Sequence, residues 1–134
     1  MTRRPRPDER SALRSLQGLL PYADPDLIDA ALDGPFRCRV AVDAGTVVGY
    51  AVALPGPETA LSELVVAPAH RGAGHGRALV DAVAAAADAD RLVATTPAGA
   101  DAVDFYRALG FETDRRLASF YDDGTAALRL VRRE

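Results

Sequence analysis

The stretch Val66-Ala67-Pro68-Ala69-His70-Arg71-Gly72-Ala73-Gly74-His75-Gly76-Arg77 decides how this chain of 134 residues is read. Before it, Thr59–Val66 has the apolar, β-branched character of a strand, and Pro68 ends that strand because proline cannot donate to a ladder. After it, Leu79, Val80 and Val83 recur at helical spacing within an alanine-rich run over about Gly74–Ala89. Three glycines lie in five residues between strand and helix. Glycine lets backbone approach a ligand closely, and a helix N-terminus presents unpaired N–H groups with a partial positive charge. Together they predict an anion site, with phosphate as the usual occupant. A nucleotide P-loop needs a lysine, and the chain has none. The dinucleotide pattern G-x-G-x-x-G fails because Arg77 stands at its sixth position. The spacing that remains is R-x-x-G-x-G, met by Arg71, Gly74 and Gly76.

Working outward, Leu13, Leu16, Leu19 and Leu20 predict a first helix with Asp8 as its N-cap, stopped by Pro21. Asp24-Pro25 opens a second, and Gly34-Pro35 ends it. The period then falls to 2. Phe36–Val42 and Thr46–Leu54 read as a hairpin around Asp43-Ala44-Gly45, with Thr59–Val66 as a third strand. Beyond the central helix come a strand at Arg91–Thr95 and a helix at Gly99–Leu109 with Gly110 as its C′ residue. Two strands close the chain, Phe111–Tyr121 and Thr125–Arg132. The order predicts an α/β (α+β) fold: a single mixed, mostly antiparallel sheet with helices on both faces. It shows no repeat or linker, so residues 1–134 are read as one domain. Met1–Pro7, rich in Arg and Pro, is expected to fray.

Composition narrows the classes. A net charge of −3 gives no reason to expect nucleic acid or a membrane surface as a partner. The lone Cys38 allows no internal disulfide and reads as a buried small side chain. The N-terminus lacks the apolar run of a leader, which predicts a cytoplasmic protein. His70 and His75 have no cysteine or suitably spaced acid beside them, so no metal site is expected.

The loop, followed at the right distance by Phe105-Tyr106-Arg107-Ala108-Leu109-Gly110-Phe111, resembles the GNAT family of acyl-CoA-dependent N-acyltransferases. The resemblance spans nearly the whole chain. Thr2–Arg6, where the family has its first strand, has little strand character, so that strand is expected to be short or absent.

The resemblance implies acetyl-CoA as acyl donor. Leu64, Val65 and Val66 would bond its pantetheine arm through their backbone. The amides of Arg71, Gly72, Ala73, Gly74, His75, Gly76 and Arg77 would hold its pyrophosphate. An N–H near Val66 would polarise the thioester carbonyl. Tyr106 stands where the family's acid stands, and a phenol is protonated at neutral pH. Glu63, a carboxylate in an apolar strand, is the candidate base, and strict alternation puts it on the face opposite Leu64 and Val66. The acceptor is expected to be a primary amine, on a small molecule or a protein N-terminus. The segment Phe120-Tyr121-Asp122-Asp123-Gly124 resembles the ribosomal-protein alanine N-acetyltransferases, which makes Tyr121 a substrate-lining residue. That subgroup's glutamate on the strand before the last helix is Ala94 here, and its asparagine near the helix start is Gly99. Asp24, Asp26, Asp29 and Asp33 are further acids near the family's acceptor region. The C-terminal strands offer an edge through which two copies could form a homodimer. The competing reading is a non-catalytic acyl-CoA-binding sensor on the same fold.

Overall fold

The computed structural model describes all 134 residues. Its strands are β1 (Thr2–Arg3), β2 (Arg37–Asp43), β3 (Thr46–Leu54), β4 (Thr59–Val66), β5 (Arg91–Pro97), β6 (Glu112–Leu117) and β7 (Ala127–Arg133). They form one sheet in the order β1-β2-β3-β4-β5-β7-β6. Every neighbouring pair is antiparallel except β4 with β5. The helices are α1 (Arg10–Gln17), α2 (Leu27–Asp33), α3 (His75–Ala86) and α4 (Ala102–Ala108).

The helices cover both faces, as two separate apolar clusters show. On one face Leu13 and Leu16 of α1 and Ile28 and Ala31 of α2 pack on Cys38, Val40, Tyr50, Val52 and Val65. On the other, Leu79, Val80 and Val83 of α3 and Tyr106 of α4 pack on Ala51, Ala53, Leu61, Leu92 and Leu130. Leu13, Ile28, Leu79 and Leu130 are wholly removed from solvent. Each contributes about 1.5–3 kcal/mol by leaving water. No helix is long and apolar enough to cross a membrane.

The β2–β3 hairpin closes through Ala44 and Gly45, both with positive φ (49° and 80°). Such a turn twists in the same sense as the strands it joins. The predicted Phe111–Tyr121 strand is cut short at Leu117, because Ser119 adopts φ 51° and leaves the ladder. The last helix starts later than predicted, since a turn formed by the Ala100 N–H on the Pro97 carbonyl precedes it.

The N-terminus differs from the expectation of a frayed tail. Thr2 and Arg3 pair with Ala41 and Val40, giving the short first strand. Asp8 does not cap α1: it lies inside a 3-10 turn at Pro7–Glu9. Glu9 performs the fastening, accepting hydrogen bonds from Arg3 at 2.8 and 2.7 Å and from the Arg6 N–H at 2.7 Å. The Arg3 guanidinium, helped by that backbone bond, holds the Glu9 carboxyl down at about 2. A carboxylate whose pKa is lower in the folded state stabilises the fold above its unfolded value, and that stability is lost as pH falls through the folded one. In acid titrations from pH 5 to pH 2, Glu9→Gln should therefore lose less stability than the parent protein. Equal slopes in the two would contradict this fastening.

Candidate active site

The site grows from a defect in β4. Val52 pairs with Glu63 but Ala53 pairs with Leu61, so Ser62 is an extra residue, a β-bulge. The bulge resets the alternation. Leu61 and Leu64, three apart, both pack toward α3, while Glu63 and Val65 face α1 and α2. The expectation that Glu63 lies opposite Leu64 and Val66 therefore holds on the far side of the bulge.

At the same point the sheet opens. β4 pairs with β5 only through Thr59, Ala60 and Leu61. From Ser62 to Val66 it has no neighbour on that side, while β5 continues along β7 as far as Pro97. The Ala67 N–H bonds the Val48 carbonyl at 2.8 Å. Backbone groups alternate along a strand, so Val65, two residues back, also turns its N–H and C=O toward β3. Leu64 and Val66 turn theirs into the gap. Of the three residues expected to bond a pantetheine arm, Val65 is thus already committed to its Tyr50 pairing.

The loop after β4 forms a second open surface. Gly72 and Gly74 have φ of 81° and 87°, where L side chains are strained. The first helical bond outside α3 runs from the Ala78 N–H to the Gly74 carbonyl at 3.0 Å. The amides of Gly72, Ala73, Gly74, His75, Gly76 and Arg77 donate to no backbone carbonyl or side chain. A run of unpaired N–H groups at a helix start is a cradle for an anion such as pyrophosphate. The two arginines do not both serve it. Arg71 donates Nε to the Val66 carbonyl at 3.0 Å. Arg77 reaches away to the Ala108 carbonyl at 3.1 Å, at the end of α4, so only its amide remains for an anion. His70 lies 3.4 Å from an Asp43 carboxylate oxygen, and its ring meets that of His75 edge-on, which makes both part of the loop's packing. No Cβ at Gly74 would strike anything, so Gly74→Ala tests backbone conformation alone. Left-handed geometry costs an L residue roughly 1–2 kcal/mol, so acetyl-CoA titrations should show about a tenfold weaker affinity. An unchanged affinity would mean the loop does not hold the donor in this form.

Tyr106 is placed by the end of its own helix. The Phe111 N–H bonds the Tyr106 carbonyl at 3.1 Å and the Gly110 N–H bonds that of Arg107 at 3.0 Å, with Gly110 at φ 95°. This is a Schellman cap, whose accompanying apolar contact is Phe111 edge-on to the Tyr106 ring at 5.2 Å. The F-Y-x-x-x-G-F pattern thus encodes a cap that locks Tyr106. Phe105 flanks it at 5.6 Å and rests on Gly76, where an added Cβ would sit 2.5 Å from the Phe105 ring. The Tyr106 side chain is nearly buried, yet its hydroxyl bonds no protein group and is not among fully enclosed atoms. It therefore opens into the cleft. Burial pushes its phenol up, with the nearby Tyr121 phenol adding in the same direction.

Glu63 is 7 % exposed and its carboxylate is saturated. Oε1 accepts from the Tyr50 hydroxyl at 2.8 Å and from Gln17 Nε2 at 3.1 Å. Oε2 accepts from Gln17 Nε2 at 3.2 Å and from the Asp24 N–H at 3.4 Å. Four acceptor sites are all a carboxylate has. No lone pair is left for an incoming amine, so in this arrangement Glu63 does not act directly as a base. It ties β4, β3, α1 and the α1–α2 turn together. Gln17 and Tyr50 escaped the sequence reading, although each is a polar group at a core position of an apolar pattern: Gln17 four residues after Leu13, Tyr50 two before Val52.

Tyr121 stacks on Tyr22, with ring centroids 3.9 Å apart and planes 13° from parallel. Nothing in the sequence pattern singled out Tyr22. Its hydroxyl donates to Asp123 at 2.7 Å. The acids of α2 do not line the cleft. Asp29 pairs with Arg10 and Arg14, and Asp33 with Arg10, which ties α2 to α1. Asp24 turns its carboxylate to the Asp26 N–H.

A split sheet, a free-amide loop and a cleft tyrosine are what the sequence resemblance anticipates. The model of the acetyltransferase (GNAT) family matches residues 6–111. The chain belongs to the GNAT family. This GNAT chain is 42% identical over 89 residues to a mycothiol acetyltransferase of Streptomyces coelicolor, covering 64% of itself and 26% of that protein. It spans about a quarter of the length of the curated relatives it matches. Its fold is that of a ribosomal-protein-alanine N-acetyltransferase from Brucella melitensis, with TM-score 0.81 at 24% identity over 100% of this chain and 99% of the other. It is also that of a GNAT acetyltransferase from Elizabethkingia anophelis solved with acetyl-CoA bound, with TM-score 0.75 at 20% identity over 90% of each chain.

Proposed function

We propose that this GNAT protein transfers the acetyl group of acetyl-CoA to a primary amine. The observation that carries the reading is the sheet gap between β4 and β5, bordered by the unpaired amides of Gly72–Arg77 and by the unpartnered Tyr106 hydroxyl.

The chain's own groups divide the work. The loop amides hold the donor's pyrophosphate. The gap-facing backbone groups of Leu64 and Val66 hold its pantetheine arm, and an N–H there polarises the thioester carbonyl. The amine nitrogen attacks the carbonyl carbon, the C–S bond breaks, and its electron pair leaves on sulfur. Tyr106 gives that sulfur a proton, and the ammonium formed on the acceptor releases one to water. A phenol pushed up by burial stays protonated at neutral pH and remains available as an acid. Glu63 supports the acceptor side by position. Likeness to a protein named mycothiol acetyltransferase favours a small-molecule acceptor; likeness in fold to a ribosomal-protein-alanine enzyme keeps a protein N-terminus in view.

The test has two parts. Acetyl-CoA at a hundred times its Kd should stabilise the protein by about 2.7 kcal/mol, seen as a rise in melting temperature. An acceptor screen of amino acids, polyamines and peptides should then release CoA thiol with at least one amine. A thermal shift with no turnover on any amine would leave a non-catalytic acyl-CoA sensor. No shift at all would remove both readings.

A further inference from the structure

The acceptor side carries a second device, resting on the transferase reading above. The α1–α2 turn is fastened at two points. At one, Asp24 is held to β4: its N–H bonds Glu63 and its carbonyl accepts Gln17 Nε2 at 2.7 Å. Two residues earlier, Tyr22 is held to the β6–β7 turn. Its ring lies flat on Tyr121, and its hydroxyl bonds Asp123 at 2.7 Å and Thr125 at 3.3 Å. The β6–β7 turn is itself rigid. The Tyr121 N–H bonds the Thr125 carbonyl, the Gly124 N–H bonds the Tyr121 carbonyl, and the Thr125 N–H bonds the Asp123 carboxylate. Tyr121 lies close enough to Tyr106 for the two phenols to act on each other.

These points lie on opposite banks of the cleft. Glu63 belongs to β4, and Tyr106 to α4 beyond β5. A chain of contacts from Glu63 through Asp24, Tyr22 and Tyr121 to Tyr106 therefore crosses the opening where β4 and β5 part. Tyr22 and Phe120 stay exposed, at 44 and 51 %. An aromatic pair fastened this way is neither buried core nor loose surface.

We propose that the Tyr22–Tyr121 clasp selects the acceptor: it admits small primary amines that reach Tyr106 beneath the paired rings and rejects peptide N-termini, whose following residues need the space the rings occupy. Tyr22 is then a specificity-determining residue that the GNAT pattern in the sequence does not mark. Exclusion of this kind discriminates by clash against the wrong acceptor rather than by added attraction for the right one.

The full chain, with acetyl-CoA, tests this through thiol release with two probes: 1,4-diaminobutane and a hexapeptide with a free N-terminal alanine. The parent protein should favour the diamine in kcat/KM by at least about tenfold. Tyr22→Ala and Tyr121→Ala should each shrink that ratio about tenfold by lowering KM for the peptide, while the thermal shift given by acetyl-CoA stays unchanged. A parent that prefers the peptide, or a ratio unmoved in both variants, would overturn the clasp. Hydrogen exchange at residues 18–26 separates this outcome from failure of the transferase reading. If acetyl-CoA binds but neither probe is turned over, that reading fails and the clasp is judged by exchange alone: slow amides in the parent that become fast in both variants support it, and equal rates overturn it.

Discussion

Tyr106→Phe should lower kcat by about two to four orders of magnitude while leaving acetyl-CoA affinity unchanged, because it removes a proton donor and nothing else. The ring is held by contacts that phenylalanine keeps: the edge-on packing of Phe105 and Phe111 and the cap at Gly110. The hydroxyl has no protein partner, so its loss orphans no buried group. Stability should therefore stay within about 1 kcal/mol of the parent, and single-turnover kinetics report the chemical step directly. Because burial raises this phenol, the acid should remain protonated through mild alkali, and the parent's kcat should not fall between pH 7 and pH 9. A Phe variant with full turnover would take the acid role from Tyr106. A parent rate that falls in that range would show that another group donates the proton.

Glu63→Ala should be the most damaging single change on the acceptor side, at about 3 kcal/mol of stability, or roughly 10 °C in melting temperature. The alanine leaves Tyr50, Gln17 and the Asp24 N–H without their acceptor, and Tyr50 is wholly buried. Unpaired donors in the interior cost more than the bonds themselves contribute. Glu63→Gln separates two roles. Its amide oxygen can still accept from Tyr50, so most of the stability should return. If Glu63 positions the α1–α2 turn, Glu63→Gln keeps the pH profile of kcat/KM and changes mainly KM for the amine. Loss of the acidic limb of that profile would show instead that Glu63 is the base, reached after the network rearranges.

The two variants probe different kinds of information. Tyr106 was legible because its position depends on local chain geometry. A glycine four residues on, followed by Phe111, defines a helix cap, and a cap fixes which side chain its last turn presents. The free amides of the glycine loop were legible for the same reason, since a helix start leaves them unpaired whatever surrounds it. Glu63 was picked out correctly as an anomaly in an apolar strand. Its partners were not visible, because Gln17 is 46 residues away in the chain. Likewise Arg71 and Arg77 look alike in sequence as phosphate ligands, yet one closes on Val66 and the other on the far end of α4.

By itself, then, the sequence determined the order of elements, the anion loop and the capped tyrosine, and through them the family. These are properties of contiguous segments, set by side-chain period, glycine positions and proline stops. The tertiary structure alone decided where the sheet splits, which backbone groups face the gap, that Glu63 is saturated, and that Tyr22 clasps Tyr121. The split and the Ser62 bulge depend on how β4 pairs with two different neighbours at once. The clasp joins residues 99 positions apart, brought together only when two helices pack on one face of the sheet and α4 packs on the other. No periodicity along a single segment carries that information.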